Sequence, residues 1–114
     1  MIKEKYIDLI GQAIEKALNR DCVIIFFGSI LDERFNKTSD IDVAIFCNQE
    51  LSSKDLINLQ ERLEDIPVLR DINLVDIRSV KNLEFLNNIM KGKVWKSSPD
   101  LLKDLKKHIE NLKK

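Results

Sequence analysis

The sequence predicts an α/β protein in which helices cover a small β-sheet. Short apolar runs rich in β-branched residues alternate with longer segments whose apolar residues recur at helical spacing, and capping or turn residues separate them. The 114 residues suffice for one hydrophobic core but not for two, so we expect a single domain over residues 1–114. Within it, the candidate motifs lie in residues 20–96, and residues 97–114 are predicted to form a C-terminal helix.

The composition is typical of a water-soluble globular domain. Hydrophobic residues make up 44% of the chain and charged residues 33%, and 19 Lys and Arg balance 19 Asp and Glu. A nucleic-acid partner is therefore not expected, because general nucleic-acid binders neutralise many phosphates with a basic surface. No apolar run approaches the ~20 residues that cross a bilayer, and the charged N-terminus is unlike a signal peptide. We expect no membrane association and a cytoplasmic protein with reduced thiols.

The first half of the chain is predicted to hold one helix and two strands. Apolar residues at helical spacing indicate a helix over residues 3–19. Residues 22–27 form a continuous apolar run, which is typical of a strand buried on both faces, and Gly28 ends it. A short helical turn within 30–36 follows, and alternation over residues 40–46 indicates the second strand.

The second half continues the same alternation. Its helices are predicted from apolar stripes between capping and stop signals, and its strands from short β-branched runs. In chain order we expect a helix capped by Ser52 or Ser53 and stopped by Pro67, a strand over residues 72–77, a helix over 83–90 closed by Gly92, a short edge strand at 94–95, and a helix starting at Ser98-Pro99-Asp100.

Two short motifs carry the predicted chemistry. Asp40 and Asp42 share a face of the second strand, about 6.6 Å apart, where carboxylates can hold Mg²⁺ together with substrate phosphates. Gly28 allows the backbone to approach a triphosphate closely, and the hydroxyl and amide of Ser29 can donate to phosphate oxygens. The pair of motifs therefore indicates a site for a nucleoside triphosphate and a metal ion.

For the motifs to meet, the end of the first strand must lie beside the start of the second, so these strands must run antiparallel. Pairing Phe27 with Asp42 then places Cys22 opposite Cys47, because the residue numbers of both pairs sum to 69. We expect the two cysteines to be core residues and neighbours on adjacent strands.

The spacing from Gly28-Ser29 through ten residues to Asp40-Ile41-Asp42 resembles the signature of the nucleotidyltransferase superfamily that includes DNA polymerase beta. With the strand at 73–76 and the ending at 90–94, residues 20–96 are similar to the minimal nucleotidyltransferases of bacteria and archaea. The resemblance implies the nucleotidyltransferase fold, a mixed sheet flanked by helices. It also implies Mg²⁺ held by the aspartates and ATP as the nucleotide donor.

The same resemblance implies a protein partner. Minimal members are commonly encoded with a HEPN-domain protein, and in these toxin–antitoxin pairs the nucleotidyltransferase adds AMP to a tyrosine of the HEPN toxin. For this chain it implies an antitoxin that forms a hetero-oligomer with a HEPN toxin and transfers AMP to it. Two alternatives stay open: a domain that neutralises its partner by binding, and a small-molecule nucleotidyltransferase.

The sequence departs from the family pattern at two places. The Gly-Ser pair is followed by Ile30–Glu33, which leaves Arg34 and Lys37 as the cations of the loop. On the third strand, Asn73 stands where the family usually carries a third acid, and it can offer a metal an amide oxygen but cannot act as a base. Asp76 is a catalytic candidate only if the strand is bulged or displaced, since it faces the opposite side.

Two residues outside these motifs, His108 and Trp95, have side chains that occur in functional sites. His108, the only histidine, is predicted to be an exposed residue at the edge of the last helix's apolar stripe. Trp95 is interpreted as core packing, with an anchor in a partner interface as the alternative.

Overall fold

The computed structural model of the chain describes residues 2–33, 35–36 and 38–114. In chain order the described residues form α1 (Ile2–Leu18), β1 (Cys22–Phe27), a 3₁₀ turn (Gly28–Leu31), β2 (Ile41–Cys47), α2 (Ser53–Glu64), β3 (Ile72–Asp76), a second 3₁₀ turn (Ile77–Ser79), α3 (Leu83–Met90), β4 (Lys93–Lys96) and α4 (Pro99–Leu112). The predicted α/β class is confirmed. The first 3₁₀ turn begins directly at Gly28, two residues earlier than predicted.

The four described strands form one mixed sheet in the order β3-β2-β1-β4. β1 pairs antiparallel with both β2 and β4, whereas β2 and β3 run parallel. Phe27 lies opposite Asp42 and Cys22 opposite Cys47, so the predicted antiparallel register is confirmed residue by residue. β1 and β2 are the central strands, which explains why β1 is buried along its whole length.

Each face of the sheet carries its own hydrophobic core, so the expectation that the chain has room for only one core is wrong. Because side chains alternate along a strand, neighbouring residues of β1 and β2 point into different cores. On one face α1 and α2 pack against Ile24, Phe26, Val43 and Ile45. On the other, α3 and α4 pack against Val23, Ile25, Ala44 and Phe46. Asp42 lies two residues before Ala44 on β2, so both side chains point to the same face of the sheet, the one that α3 and α4 cover.

Cys22 and Cys47 form a disulfide, so the prediction that they are neighbours is confirmed and the prediction of reduced thiols is wrong for this structure. The two residues are directly paired across β1 and β2 with their Cα atoms 4.1 Å apart, within bridging reach. A reducing compartment favours free thiols, but it does not determine whether two cysteines lie opposite each other on paired strands. No helix among the described residues is both long and apolar enough to span a membrane.

His108 is half-buried, so the prediction of an exposed side chain is wrong. Its ring lies 6.0 Å from that of Phe46, and its Nε2 atom is enclosed between α4 and the sheet. Trp95 packs against the α1 side of the core, and its indole N–H donates to Oδ1 of Asp8 at 3.2 Å. The core interpretation of Trp95 therefore fits the structure.

Candidate nucleotide and metal site

Three segments meet at one end of the sheet. β1 ends at Phe27, immediately before the Gly28-Ser29 turn, and Phe27 pairs with Asp42 of β2. Asp42 pairs in turn with Asn73 of β3. The antiparallel and parallel pairings together bring the Gly-Ser turn, the acidic pair and the start of β3 to the same edge.

Gly28 adopts a backbone conformation that other residues rarely take, with φ of 79°. A Cβ atom at this position would lie 2.4 Å from Oδ2 of Asp42, closer than side-chain atoms can approach. Ser29 fastens the turn from the other side, because its hydroxyl donates to the carbonyl oxygen of Asp40 at 3.1 Å. A glycine is therefore required for the turn to lie directly against the acids.

Asp40, Asp42 and Asn73 form a small polar cluster. The side-chain nitrogen of Asn73 donates to Oδ1 of Asp42 at 3.1 Å and lies 3.5 Å from Oδ2 of Asp40. Asp40 precedes β2, which begins at Ile41, and both Asp40 and Asn73 are exposed. The Asn73 amide thus lies between the two carboxylates. A cation held by both acids would also contact this amide.

Asp76 does not join this cluster, and we correct its assignment as a catalytic candidate. β3 pairs with β2 without a bulge, so Asp76 lies opposite Ile45, about 10 Å along the strand from Asn73. Its carboxylate accepts hydrogen bonds from the backbone amides of Leu51 at 2.8 Å and Arg78 at 3.2 Å. Asp76 therefore caps the second 3₁₀ turn, which is a structural role.

The donor set is compatible with Mg²⁺. This ion favours oxygen ligands and is commonly held by one or two carboxylates while substrate phosphates and water complete its octahedron. Asp40 and Asp42 supply the carboxylates, whereas the Asn73 amide would have to turn over to present its oxygen, since its nitrogen faces both acids. No group of three or more His, Cys, Asp or Glu suited to a metal occurs among the described residues. Substrate oxygens are thus needed to complete a Mg²⁺ site here.

A cleft of about 590 Å³ opens beside the Gly-Ser turn, and sequence reasoning missed part of its lining. Its walls are formed by Gly28, Ser29, Leu31, Asp32, Ser39, Asn88 and Lys91. Asn88 and Lys91 come from the end of α3. The one signal in the sequence that could have pointed to them is Lys91 itself, a cation beside Gly92 at the end of that helix. The loop cations Arg34 and Lys37 lie outside the described residues.

A sequence model of the family described as "Polymerase beta, Nucleotidyltransferase" matches residues 12–100. The chain belongs to this family. The resemblance stated from the motifs is therefore confirmed, and so is the nucleotidyltransferase fold. No curated protein matches the chain significantly by sequence.

Solved structures of toxin–antitoxin complexes share the fold of this nucleotidyltransferase. One, crystallised with AMP-PNP, is 22% identical with a TM-score of 0.67, over 98% of this chain and 84% of that one. A double Asp-to-Glu variant of the MntA–HpeT complex is 21% identical with a TM-score of 0.66, over 96% and 82%. A complex of a tri-AMPylated HEPN toxin with its MNT antitoxin, from Shewanella oneidensis, is 20% identical with a TM-score of 0.61, over 96% of this chain and 79% of that one.

Proposed function

We propose that this nucleotidyltransferase is an antitoxin that transfers AMP from ATP, with Mg²⁺, to a tyrosine hydroxyl of a partner HEPN toxin. The observation that carries the proposal is the cluster at the edge of the sheet. Asn73 holds the carboxylates of Asp40 and Asp42 together directly beside the Gly28-Ser29 turn. The site so formed has the parts that nucleotidyl transfer asks of a protein, namely positioning groups and a place for a metal ion.

Each residue has a definite task in the proposed reaction. The backbone of Gly28 and the amide of Ser29 bind the triphosphate, while the Ser29 hydroxyl holds the Asp40 carbonyl oxygen and so keeps the turn beside the acids. Asp40 and Asp42 hold Mg²⁺. When bound, the metal ion would neutralise charge on the phosphates and orient them for displacement. The acceptor hydroxyl releases its proton and its oxygen forms a bond to the α-phosphorus. The bond from that phosphorus to the oxygen that bridges to the β-phosphorus breaks, and pyrophosphate leaves.

The two substrates have separate approaches to the acids. Gly28 and Ser29 border the cleft next to α3, whereas Asp40 and Asn73 border a second cleft of about 620 Å³ between α2 and β3. A nucleotide in the first cleft would leave the second open to the acceptor. The proposed partner is supported by the fold's likeness to solved toxin–antitoxin complexes, one of which contains an AMPylated HEPN toxin with its MNT antitoxin.

A second candidate function is neutralisation by binding, without transfer. Asn73 favours it, because its side chain cannot take the proton of an attacking hydroxyl and its N–H groups already satisfy both carboxylates. In that case the site would keep its shape without supporting turnover, and the surface of the domain alone would mask the partner.

Labelled ATP separates the two functions. The chain is incubated with α-labelled ATP, Mg²⁺ and the HEPN-domain product of the neighbouring gene, and label on that protein is located by mass spectrometry. We expect label on a tyrosine, reduced about 10²-fold by Asp40→Asn and unchanged by Asp104→Asn, an exposed residue of α4. Neutralisation without label would leave the binding function only, and the absence of both would refute the proposal.

A further inference from the structure

The first turn of α3 and the residue Gly92 just beyond its end both pack against the end of β1. The ring of Phe85 meets the ring of Phe27 edge-on, with centroids 5.8 Å apart. Just beyond α3, Gly92 packs so closely that a Cβ atom there would lie 2.3 Å from the carbonyl oxygen of Phe26. The side of α3 that carries Asn88 and Lys91 is thereby fixed beside the Gly28-Ser29 turn.

Gly92 acts here through its lack of a side chain. The sequence predicts that Gly92 closes α3 as its C-terminal cap. Its amide does donate to the carbonyl of Ile89 at 2.9 Å, but the residue at the cap position is Lys91. Any larger residue at position 92 would push α3 away from β1. The contact therefore sets the position of Lys91, the neighbouring residue.

Lys91 is the cation of the cleft. Among the residues that line it, Asp32 is acidic and Lys91 is basic, and the acids Asp40 and Asp42 lie close by, beyond Gly28. Within the described part of the chain, Lys91 makes no salt bridge or side-chain hydrogen bond, and it is exposed. A triphosphate entering this cleft meets repulsion from the carboxylates, so an unengaged ammonium group on the opposite wall offsets that repulsion.

We propose that Lys91 binds the β- and γ-phosphates of the nucleotide and so selects nucleoside triphosphates. This inference rests on the proposed function. The reacting α-phosphorus must lie at Asp40 and Asp42, and neither acid lines the cleft that contains Lys91. The part of the nucleotide in that cleft is therefore the part beyond the α-phosphate, on the side of the leaving pyrophosphate. There Lys91 acts as a point charge, aided by the amide of Asn88.

Nucleotide titrations test this assignment. The affinities of ATP, ADP and AMP are measured by calorimetry with Mg²⁺ for the wild-type protein, Lys91→Met, Lys91→Arg and Lys93→Met. Lys93 is the matched control, because it is exposed on β4 two residues away and does not line the cleft. We expect Lys91→Met to weaken ATP binding about tenfold and AMP binding less than about twofold. Lys91→Arg should keep most of the ATP affinity, and Lys93→Met should match the wild type.

Each outcome has a separate meaning. Wild-type affinity for ATP in Lys91→Met would overturn the assignment of Lys91 while leaving the proposed function intact. Equal losses for ATP and AMP would also overturn it, since a phosphate-binding lysine beyond the α-position must discriminate between them. A wild-type protein that binds no ATP would refute the transfer function itself, and Lys91 with it. Circular dichroism melting curves check that all variants remain folded.

Discussion

The substitution Asn73→Asp restores an acid to the position where the family usually carries one. Asp and Asn have the same shape, so the new carboxylate would lie 3.1 Å from Asp42 and 3.5 Å from Asp40. At these distances the like charges repel by about 1.3 kcal/mol for the Asp42 pair and about 1.2 kcal/mol for the Asp40 pair at the dielectric constant of water. The hydrogen bond to Asp42, worth about 1 kcal/mol, is lost as well. Because these side chains are exposed and can rotate apart, we expect an unfolding free energy lower by about 1–3 kcal/mol without metal.

Added Mg²⁺ should reverse the effect of Asn73→Asp. A third carboxylate supplies a further oxygen ligand and removes the need to turn the amide over, so the variant should bind the ion more tightly than the wild type. In melting experiments, the midpoint should fall by about 4–12 °C in chelator and recover when Mg²⁺ is added. If the proton of the acceptor limits the reaction, transfer of AMP should also become faster, because the new acid can act as a base.

The matched control is Asn111→Asp on the exposed side of α4, which adds the same charge on a helix that contributes no residue to the Asp40, Asp42 and Asn73 cluster. It should change neither the melting midpoint nor its dependence on Mg²⁺ by more than a degree or so. A variant of position 73 that is as stable as the wild type in chelator, and no more responsive to Mg²⁺, would refute the arrangement of the three side chains. Faster transfer without tighter metal binding would instead indicate that an acid at position 73 acts only as the base that takes the acceptor's proton.

Three further predictions concern the turn, the disulfide and the start of α2. Gly28→Ala should cost about 1–2 kcal/mol because φ is 79°, and it should abolish nucleotide binding by displacing Asp42; unchanged affinity would contradict this. Reduction of the Cys22–Cys47 disulfide, which links residues 25 apart, should lower stability in urea by about 3.5 kcal/mol, and equal midpoints with and without reductant would refute the bond. The backbone amide of Ser52 lowers the pKa of Asp55 below 3.8, so Asp55 stabilises the fold above that pH. The stability difference from Asp55→Ala should shrink as the pH falls through this range, and a constant difference would assign it to packing.

The register of the central strands was predictable because local pattern and chemistry gave the same answer. The apolar run of β1 required burial on both faces, and the alternation in β2 placed both acids on one side. Requiring the Gly28-Ser29 turn to meet Asp42 then left a single antiparallel register, which the structure confirms. Side-chain periodicity of two makes such a prediction sharp, because a slip of one residue would turn Asp42 toward the wrong core.

Other features depend on contacts between elements distant in sequence, and local pattern could not supply them. The position of Lys91 in the cleft beside the Gly28-Ser29 turn follows from the close approach of Gly92 to β1. No residue spacing within α3 reveals this contact. The sequence made Asp76 a candidate third acid only for a bulged or displaced strand, and it does not reveal the backbone amides of Leu51 and Arg78 that occupy its carboxylate. The disulfide could be recognised only from the strand register together with the distance between the Cα atoms of Cys22 and Cys47.

The parallel pairing of β2 and β3 narrows the chemistry that the proposed transfer can use. Because the two strands pair in register, position 73 is the residue of β3 that lies opposite Asp42, and Asn73 cannot accept a proton. Because Asp40 and Asp42 hold Mg²⁺ in the proposed reaction, the acceptor hydroxyl must then lose its proton to water. A phenol, with a pKa of about 10, gives up its proton far more readily than an aliphatic hydroxyl. The proposed tyrosine acceptor fits a site with a weak base, and a serine acceptor would need the acid that Asn73→Asp provides.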